Sequence, residues 1–304
     1  MDCPELVWRA RLATMRPRHE AGTGLPRGAA DQPSQGTVMN LSALTRLGLL
    51  LAGGCVAAAA QSQSLPTQGT WTTTLQARDL DGNLANGAEA YYDTVLKITW
   101  LANADLGLGS AYANFEDQPG AVTWADAKTL VADFNLGGVT GWRLPTVAPI
   151  NGESFQYYDP NDYWTGQRDQ GYNIVSPNSE LAHMFHVTLG NKSILDTSGN
   201  DQEGFGVSNQ GPFSNLSSGN AYWFGTRFLQ NPDDPRYPQN RVWLFYPAFG
   251  SQGFAKDTNG LLVWAVHDGD VGTALSPVPE PSSLALMLAG LGGTLMLARR
   301  RLHD

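Results

Sequence analysis

Two short apolar runs, Leu47–Ala60 and Ser282–Ala298, bracket a long polar middle and set the limits of what this chain can fold. A globular core can be built only between them, over residues 61–278, the size of one domain or of one large domain with insertions. That body contains no cysteine, because Cys3 and Cys55 both precede it. It must therefore be held by its own apolar packing rather than by disulfides. The material is there. Trp71, Trp100, Trp124, Trp142, Trp164, Trp223, Trp243 and Trp264 all fall inside it, and buried aromatic rings contribute large apolar areas.

The front of the chain reads as a targeting segment. Residues 1–38 are rich in Arg and Pro and show no apolar periodicity, so they are expected to be a disordered upstream extension, with Met39 the true start. Residues 39–60 then form a signal peptide: Arg46, the short apolar core, and Ala58-Ala59-Ala60 as a small-residue cleavage site before Gln61. Lipidation at Cys55, after Gly54, is the minor alternative, since Ala52 stands where a Leu is usual.

The back of the chain is tripartite. A linker over 272–281 carries Pro279-Glu280-Pro281, and 282–304 supplies one apolar helix ending on Arg299-Arg300-Arg301. The apolar run is shorter than the roughly 20 residues a helix needs to cross a bilayer, so it spans only marginally. Gly290, Gly292 and Gly293 weaken it further as a permanent anchor. The arginines would stay on the cytoplasmic side by the positive-inside bias. This arrangement resembles a PEP-CTERM sorting signal. The resemblance implies the general secretion machinery and an exosortase as partners, transient membrane insertion, and processing near Pro279–Pro281. It also implies delivery to the envelope, outer surface or extracellular matrix of a Gram-negative bacterium. An ordinary C-terminal anchor is the alternative.

Charge narrows the partners. Residues 61–278 hold 10 Lys and Arg against 22 Asp and Glu. A body so acidic would be repelled by a phosphate backbone or an anionic membrane surface, which argues against nucleic acid as a partner.

Inside the body the signals are mixed and short. Tyr91 to Trp100 is rich in aromatic and β-branched residues and reads as one strand. Thr123 caps a helix with Trp124, Ala127, Leu130, Val131 and Phe134 at helical spacing, ended by Gly137-Gly138. Ser179 to Phe185 reads as a second, shorter helix, ended by Gly190-Asn191. Strand-like runs follow at Ala221–Thr226, Arg241–Tyr246 and Leu261–His267, separated by long loops at 147–178, 196–220 and 229–240. Helices early and strands late predict an α+β domain.

Three segments carry a second resemblance: Asp93 to Leu101 with Trp100, Thr123 to Ala127 with Trp124, and Thr140-Gly141-Trp142-Arg143-Leu144-Pro145-Thr146. With Tyr222–Thr226 and Val263–Asp270, which contains Trp264, they are similar to the Lcl C-terminal domain-like family over about residues 90–271. Residues 61–89 would then be an N-terminal strand or linker. The resemblance implies a C-type-lectin-like fold, in which two helices flank small antiparallel sheets and long loops carry any binding function. It implies no particular activity, so function has to be argued from a site. Read physically, Gly141 permits a tight turn and Pro145 holds Leu144 extended. Trp142 is expected to pack inward against the Thr123 helix, and Arg143 to bridge loops through carbonyls or a nearby carboxylate.

Most candidate chemistry fails on spacing. His183 and His186, three apart on one helix, could share a metal with Glu180 or His267, but ordinary helix histidines are the simpler reading. Asp196–Asn200 starts like a calcium loop and then breaks down, with Asp201 where Gly is needed and Val207 where Glu is needed. Asp79–Asn83 and Asn231–Pro235 read as turns, with calcium a weaker alternative. No cofactor is therefore expected. There is no Gly-x-Ser-x-Gly elbow and no phosphate-binding glycine loop, and the chain is not expected to be an enzyme. A metal-dependent hydrolase of matrix material and a purely structural surface protein are kept as alternatives.

Recognition by loops remains. Tyr163, Trp164 and Arg168, within an aromatic-rich stretch at 153–173, could stack on sugar faces and bind hydroxyls; the simpler reading is that these aromatics pin a long loop onto the body. Trp223 and Arg227 are candidates for the same surface, with burial the alternative for Trp223. The chain is expected to be an exported, non-catalytic protein that binds, or is structurally associated with, extracellular polysaccharide.

Overall fold

In the computed structural model, the described residues are 69–229 and 240–275. They form two antiparallel sheets with few helices. The signal-peptide run, the sorting-signal residues and the Asn231–Pro235 turn lie outside them.

The first sheet has strand order β8-β3-β2-β1-β9. It comprises β1 (Leu75–Asp79), β2 (Ala90–Asp93), β3 (Ile98–Leu101), β8 (Val266–Asp268) and β9 (Thr273–Ala274). The stretch expected as one strand, Tyr91–Trp100, is instead the hairpin of β2 and β3. Asp93 Oδ1 accepts the amides of Val95 and Leu96, at 2.8 and 3.0 Å, while Lys97 turns through φ 61° and donates its amide to the Asp93 carbonyl. A carboxylate that captures two amides ahead of it competes directly with the extended backbone. The β-rich composition is right for both arms, and the turn is hidden within it.

The second sheet has order β4-β7-β6-β5, from β4 (Gly171–Tyr172), β5 (Tyr222–Arg227), β6 (Arg241–Tyr246) and β7 (Ser251–Lys256). Strands β5 and β6 fall where the sequence places them. In Leu261–Ala265 the pairing is limited to single bridges of Leu261 with Val122 and Leu262 with Tyr222, so only the end of that run becomes β8.

The helices are short. Trp71–Thr74 forms one turn, α1, and Trp124–Asp133 forms α2. Thr123 caps α2 as expected, its hydroxyl accepting the Asp126 amide at 3.3 Å and donating to Asp126 Oδ2 at 2.7 Å. Trp124, Ala127 and Val131 are its buried face. Glu180–His183 is a single α-helical turn, α3, continuing as a π-helical turn over Met184–Thr188.

Two apolar clusters hold these parts together. One centres on Trp100, Trp243 and Trp264; the other joins Trp124, Trp142 and Trp223 across α2 and the second sheet. The sheet reaches past residues 90–271 at both ends, because β1 and β9 complete it.

Candidate functional site

The Gly141–Pro145 segment is a junction between the two sheets and α3. Gly141 turns at φ 86°, and a Cβ there would lie 3.4 Å from His267 Nε2. Trp142 is buried between Phe134, just past α2, and His267 on β8, with both ring pairs edge-on at 5.7 Å. Arg143 pairs its backbone with Val266 in both directions. Its guanidinium grips Glu180 with Nη1 to Oε2 at 2.9 Å and Nη2 to Oε1 at 2.8 Å, and Nε donates to Asp268 at 2.8 Å. Burial works to lower the Arg143 pKa, but the two carboxylates outweigh it and raise it instead. Leu144 is buried, and the Pro145 carbonyl accepts the Gly225 amide at 2.8 Å. The inward Trp142 and the bridging Arg143 are as the sequence implies.

Trp100, Trp124, Trp223 and Trp264 are likewise core residues. Trp100 and Trp264 lie 4.7 Å apart, and the Trp124, Trp223 and Trp264 indoles donate to the carbonyls of Phe224, Val122 and Leu101. Trp223, a candidate ligand contact from the sequence, is 0% exposed instead, so a ligand cannot reach its ring. Arg227 is exposed on β5, beside Asp257 at 3.5 Å and over the Trp124 ring at 4.6 Å. The sheet order places β5 and β4 on opposite edges. Tyr163 packs on Tyr172 of β4, while Phe228, next to Arg227, meets Tyr157 of the same loop at 5.1 Å.

The 153–173 loop divides into two parts. Phe155 and Tyr157 lie on the sheet, 5.2 and 6.2 Å from the Trp243 ring, and pin the loop. Beyond them, Tyr158 stands 47% exposed, and its ring begins a cluster. Tyr158 meets Tyr163 at 5.1 Å, and Tyr163 meets Trp164 at 4.9 Å and Tyr172 at 5.7 Å. A Cβ on Gly199 would lie 3.1 Å from the Trp164 ring, so the Asp196–Asn200 turn covers one face of that indole. In this turn Asp196 Oδ1 accepts the amides of Ser198 and Asn200, and the Asn200 bond is the main cause of its lowered pKa.

Arg168 is a staple within this loop. Its guanidinium donates to Asp162, to Asp159 at 2.9 Å and to the Tyr157 carbonyl at 3.2 Å. Its sequence context suits ligand hydroxyls, but its donors are taken up by the loop itself.

The residue that positions the loop was not singled out from the sequence. Asp169, fully buried, accepts the amides of Ile150 at 2.8 Å and Gln156 at 2.6 Å. Its carbonyl accepts from Gln252, whose Oε1 accepts the Ser179 hydroxyl at 2.5 Å. Burial raises the Asp169 pKa, partly offset by those amides. Nothing in the local sequence separates Asp169 from the surface carboxylates around it.

The histidines do not converge. His183 Nδ1 donates to the Val175 carbonyl at 2.9 Å. His186 places Nδ1 and Nε2 each 3.2 Å from a carbonyl, of Asn191 and Gly250. Desolvation outweighs those two contacts and pushes its imidazole down to about 4. Among the described residues, the grouping with metal-like spacing is Asp79, Asp81 and Glu89. Its carboxylates already accept the amides of Gly82, Asn83 and Leu80.

Comparison with known families matches residues 277–301 to the PEP-CTERM protein-sorting motif. The chain is thus an exported protein, sorted by an exosortase to the cell envelope or surface of a Gram-negative bacterium. No curated protein matches the chain. No helix among the described residues is long and apolar enough to cross a membrane.

Proposed function

We propose that the folded body is a non-catalytic, C-type-lectin-like domain of the Lcl C-terminal domain-like kind, which binds extracellular polysaccharide at the Tyr158–Tyr163–Trp164 edge. The observation that carries this reading is the exposed Tyr158 ring, backed by Tyr163 and Trp164 and held by a loop nailed down through Asp169. Rigid aromatic faces bordered by acceptors suit the alternating apolar and hydroxyl surfaces of a sugar chain. Asp159 and Asp162 border the cluster. Preorganisation by Arg168 and Asp169 would limit the ordering cost on binding. Export by the sorting motif brings the domain to where such polymers are found.

The test is binding of the mature exported protein to polysaccharide purified from the host surface, with and without EDTA. Retention that survives EDTA and is lost in Tyr158→Ala, with unchanged thermal unfolding, supports a metal-free aromatic site. Retention abolished by EDTA, or no retention of the parent protein, overturns it.

A further inference from the structure

Strand β9 is the last paired backbone before the sorting motif, and it is weakly held. Thr273 and Ala274 pair with Asp79 and Arg78 at the sheet edge, and both are exposed. The Leu275 amide donates to the Ala77 carbonyl at 3.3 Å. Just upstream the chain is anchored far better. Asp270 takes two bonds from the buried Arg78, at 2.6 and 2.8 Å, and the Val271 amide donates to Thr99 Oγ1. Gly272 joins anchor to strand at φ 85°, where a Cβ would lie 2.7 Å from the Asp79 carbonyl.

The motif begins at residue 277, almost directly after Leu275. From Ala274 to Pro279 the extended chain spans at most about 18 Å. A compact body of this size has a radius of gyration of about 17 Å. An enzyme seated at the membrane that must grip the backbone around Pro279–Pro281 therefore meets the folded sheet edge. Releasing β9 moves the last fixed point back to Val271 and lengthens the tether to about 29 Å. The release breaks few hydrogen bonds and uncovers no buried side chain of β9.

We propose that β9 is a releasable strap, which peels from β1 while the exosortase handles the 277–301 motif and pairs again after processing. The Arg78–Asp270 pair stops the peeling and keeps the rest of the sheet closed. The proposal is independent of any sugar-binding role.

It is tested on the full chain produced with its exosortase, following the ratio of unprocessed to processed protein over time. Ala77→Cys with Leu275→Cys places two thiols opposite each other across β1 and the end of β9. The mature body has no other cysteine, so this is the disulfide available there. A lock that removes the released state should slow processing by about tenfold or more, since apparent reactivity scales with the competent fraction. Reduction, or a flexible spacer inserted after Leu275 in the locked chain, should restore it. Processing of the locked chain at the parent rate overturns the strap. So does slowed processing that neither reduction nor the spacer rescues.

Discussion

Arg143 holds Glu180 in a two-pronged ion pair, Nη1 to Oε2 at 2.9 Å and Nη2 to Oε1 at 2.8 Å. The same Glu180 Oε2 accepts the Thr146 amide at 2.6 Å. One carboxylate thus joins the turn after Trp142 to the first turn of α3. Glu180 is the more buried partner, with its side chain 10% exposed.

Removing Arg143 strands that carboxylate. Arg143→Ala should destabilise the body by about 3–5 kcal/mol, the usual cost of leaving a buried charge unpaired. Arg143→Lys should recover only part of the loss, because an ammonium cannot supply the parallel fork. Urea unfolding of the three proteins at neutral pH reads this directly. Equal stability of Arg143→Ala and parent would show the pair to be incidental.

His186 predicts acid sensitivity. Its folded pKa, about 4, lies below the ordinary 6.5. Below about 6.5 the unfolded chain takes up a proton that the folded imidazole refuses, so stability falls with pH until both states are protonated near 4. At about 1.4 kcal/mol per pKa unit the loss is about 3 kcal/mol. His186→Gln should flatten the slope over that window. The carboxyls of Asp93, Asp105 and Asp169, all raised mainly by burial, act in the opposite sense and are shared by both proteins. Denaturant midpoints between about pH 7 and 4 check the difference.

Asp93 is fully buried, and its Oδ2 has no hydrogen-bond partner, while Oδ1 holds the β2–β3 turn. Burial is the main cause of its raised pKa, and the Leu96 and Val95 amides act against it, followed by His183 and Lys97. Asp93→Asn keeps the turn acceptor and removes the buried charge, so it should cost under about 1 kcal/mol. Asp93→Ala orphans two turn amides and should cost about 1–3 kcal/mol. If the Asn variant is the worse of the two, the charge itself is needed.

Arg168 should matter more to binding than to stability. Its ion pairs with Asp159 and Asp162 are partly exposed, and such pairs contribute about 1 kcal/mol or less. Arg168→Ala is therefore expected to unfold almost like the parent, yet to be cleaved faster within 153–170 and to bind polysaccharide more weakly. Undiminished binding would separate the staple from the aromatic edge.

Legibility in the sequence followed how local each cause is. The cap of α2 rests on Thr123 and Asp126, three positions apart, and β5 and β6 on their own β-rich runs; all could be read along the chain. The hairpin inside residues 90–101 could not, because one carboxylate decides between an extended run and a turn in the same composition. Strand β7 was missed as well. Its Gly253 and Lys256 give little β signal, and its pairing with β6 and β4 holds it in place.

The same distinction separates the parts of the site. The sequence alone determined the destination, through a linear sorting motif that needs no fold to be read. It also determined that the body must be held by its own apolar packing, since cysteine is missing from it, and that Trp142 packs inward beside an Arg that bridges through carbonyls or a carboxylate. Only the tertiary structure chose Glu180 as that carboxylate and buried Trp223. It also spent Arg168 on its own loop and assigned Asp169 and Gln252 to fix that loop. Those choices depend on residues far apart in the chain meeting at one point, and the burial and hydrogen bonding that decide them exist only once the two sheets have closed.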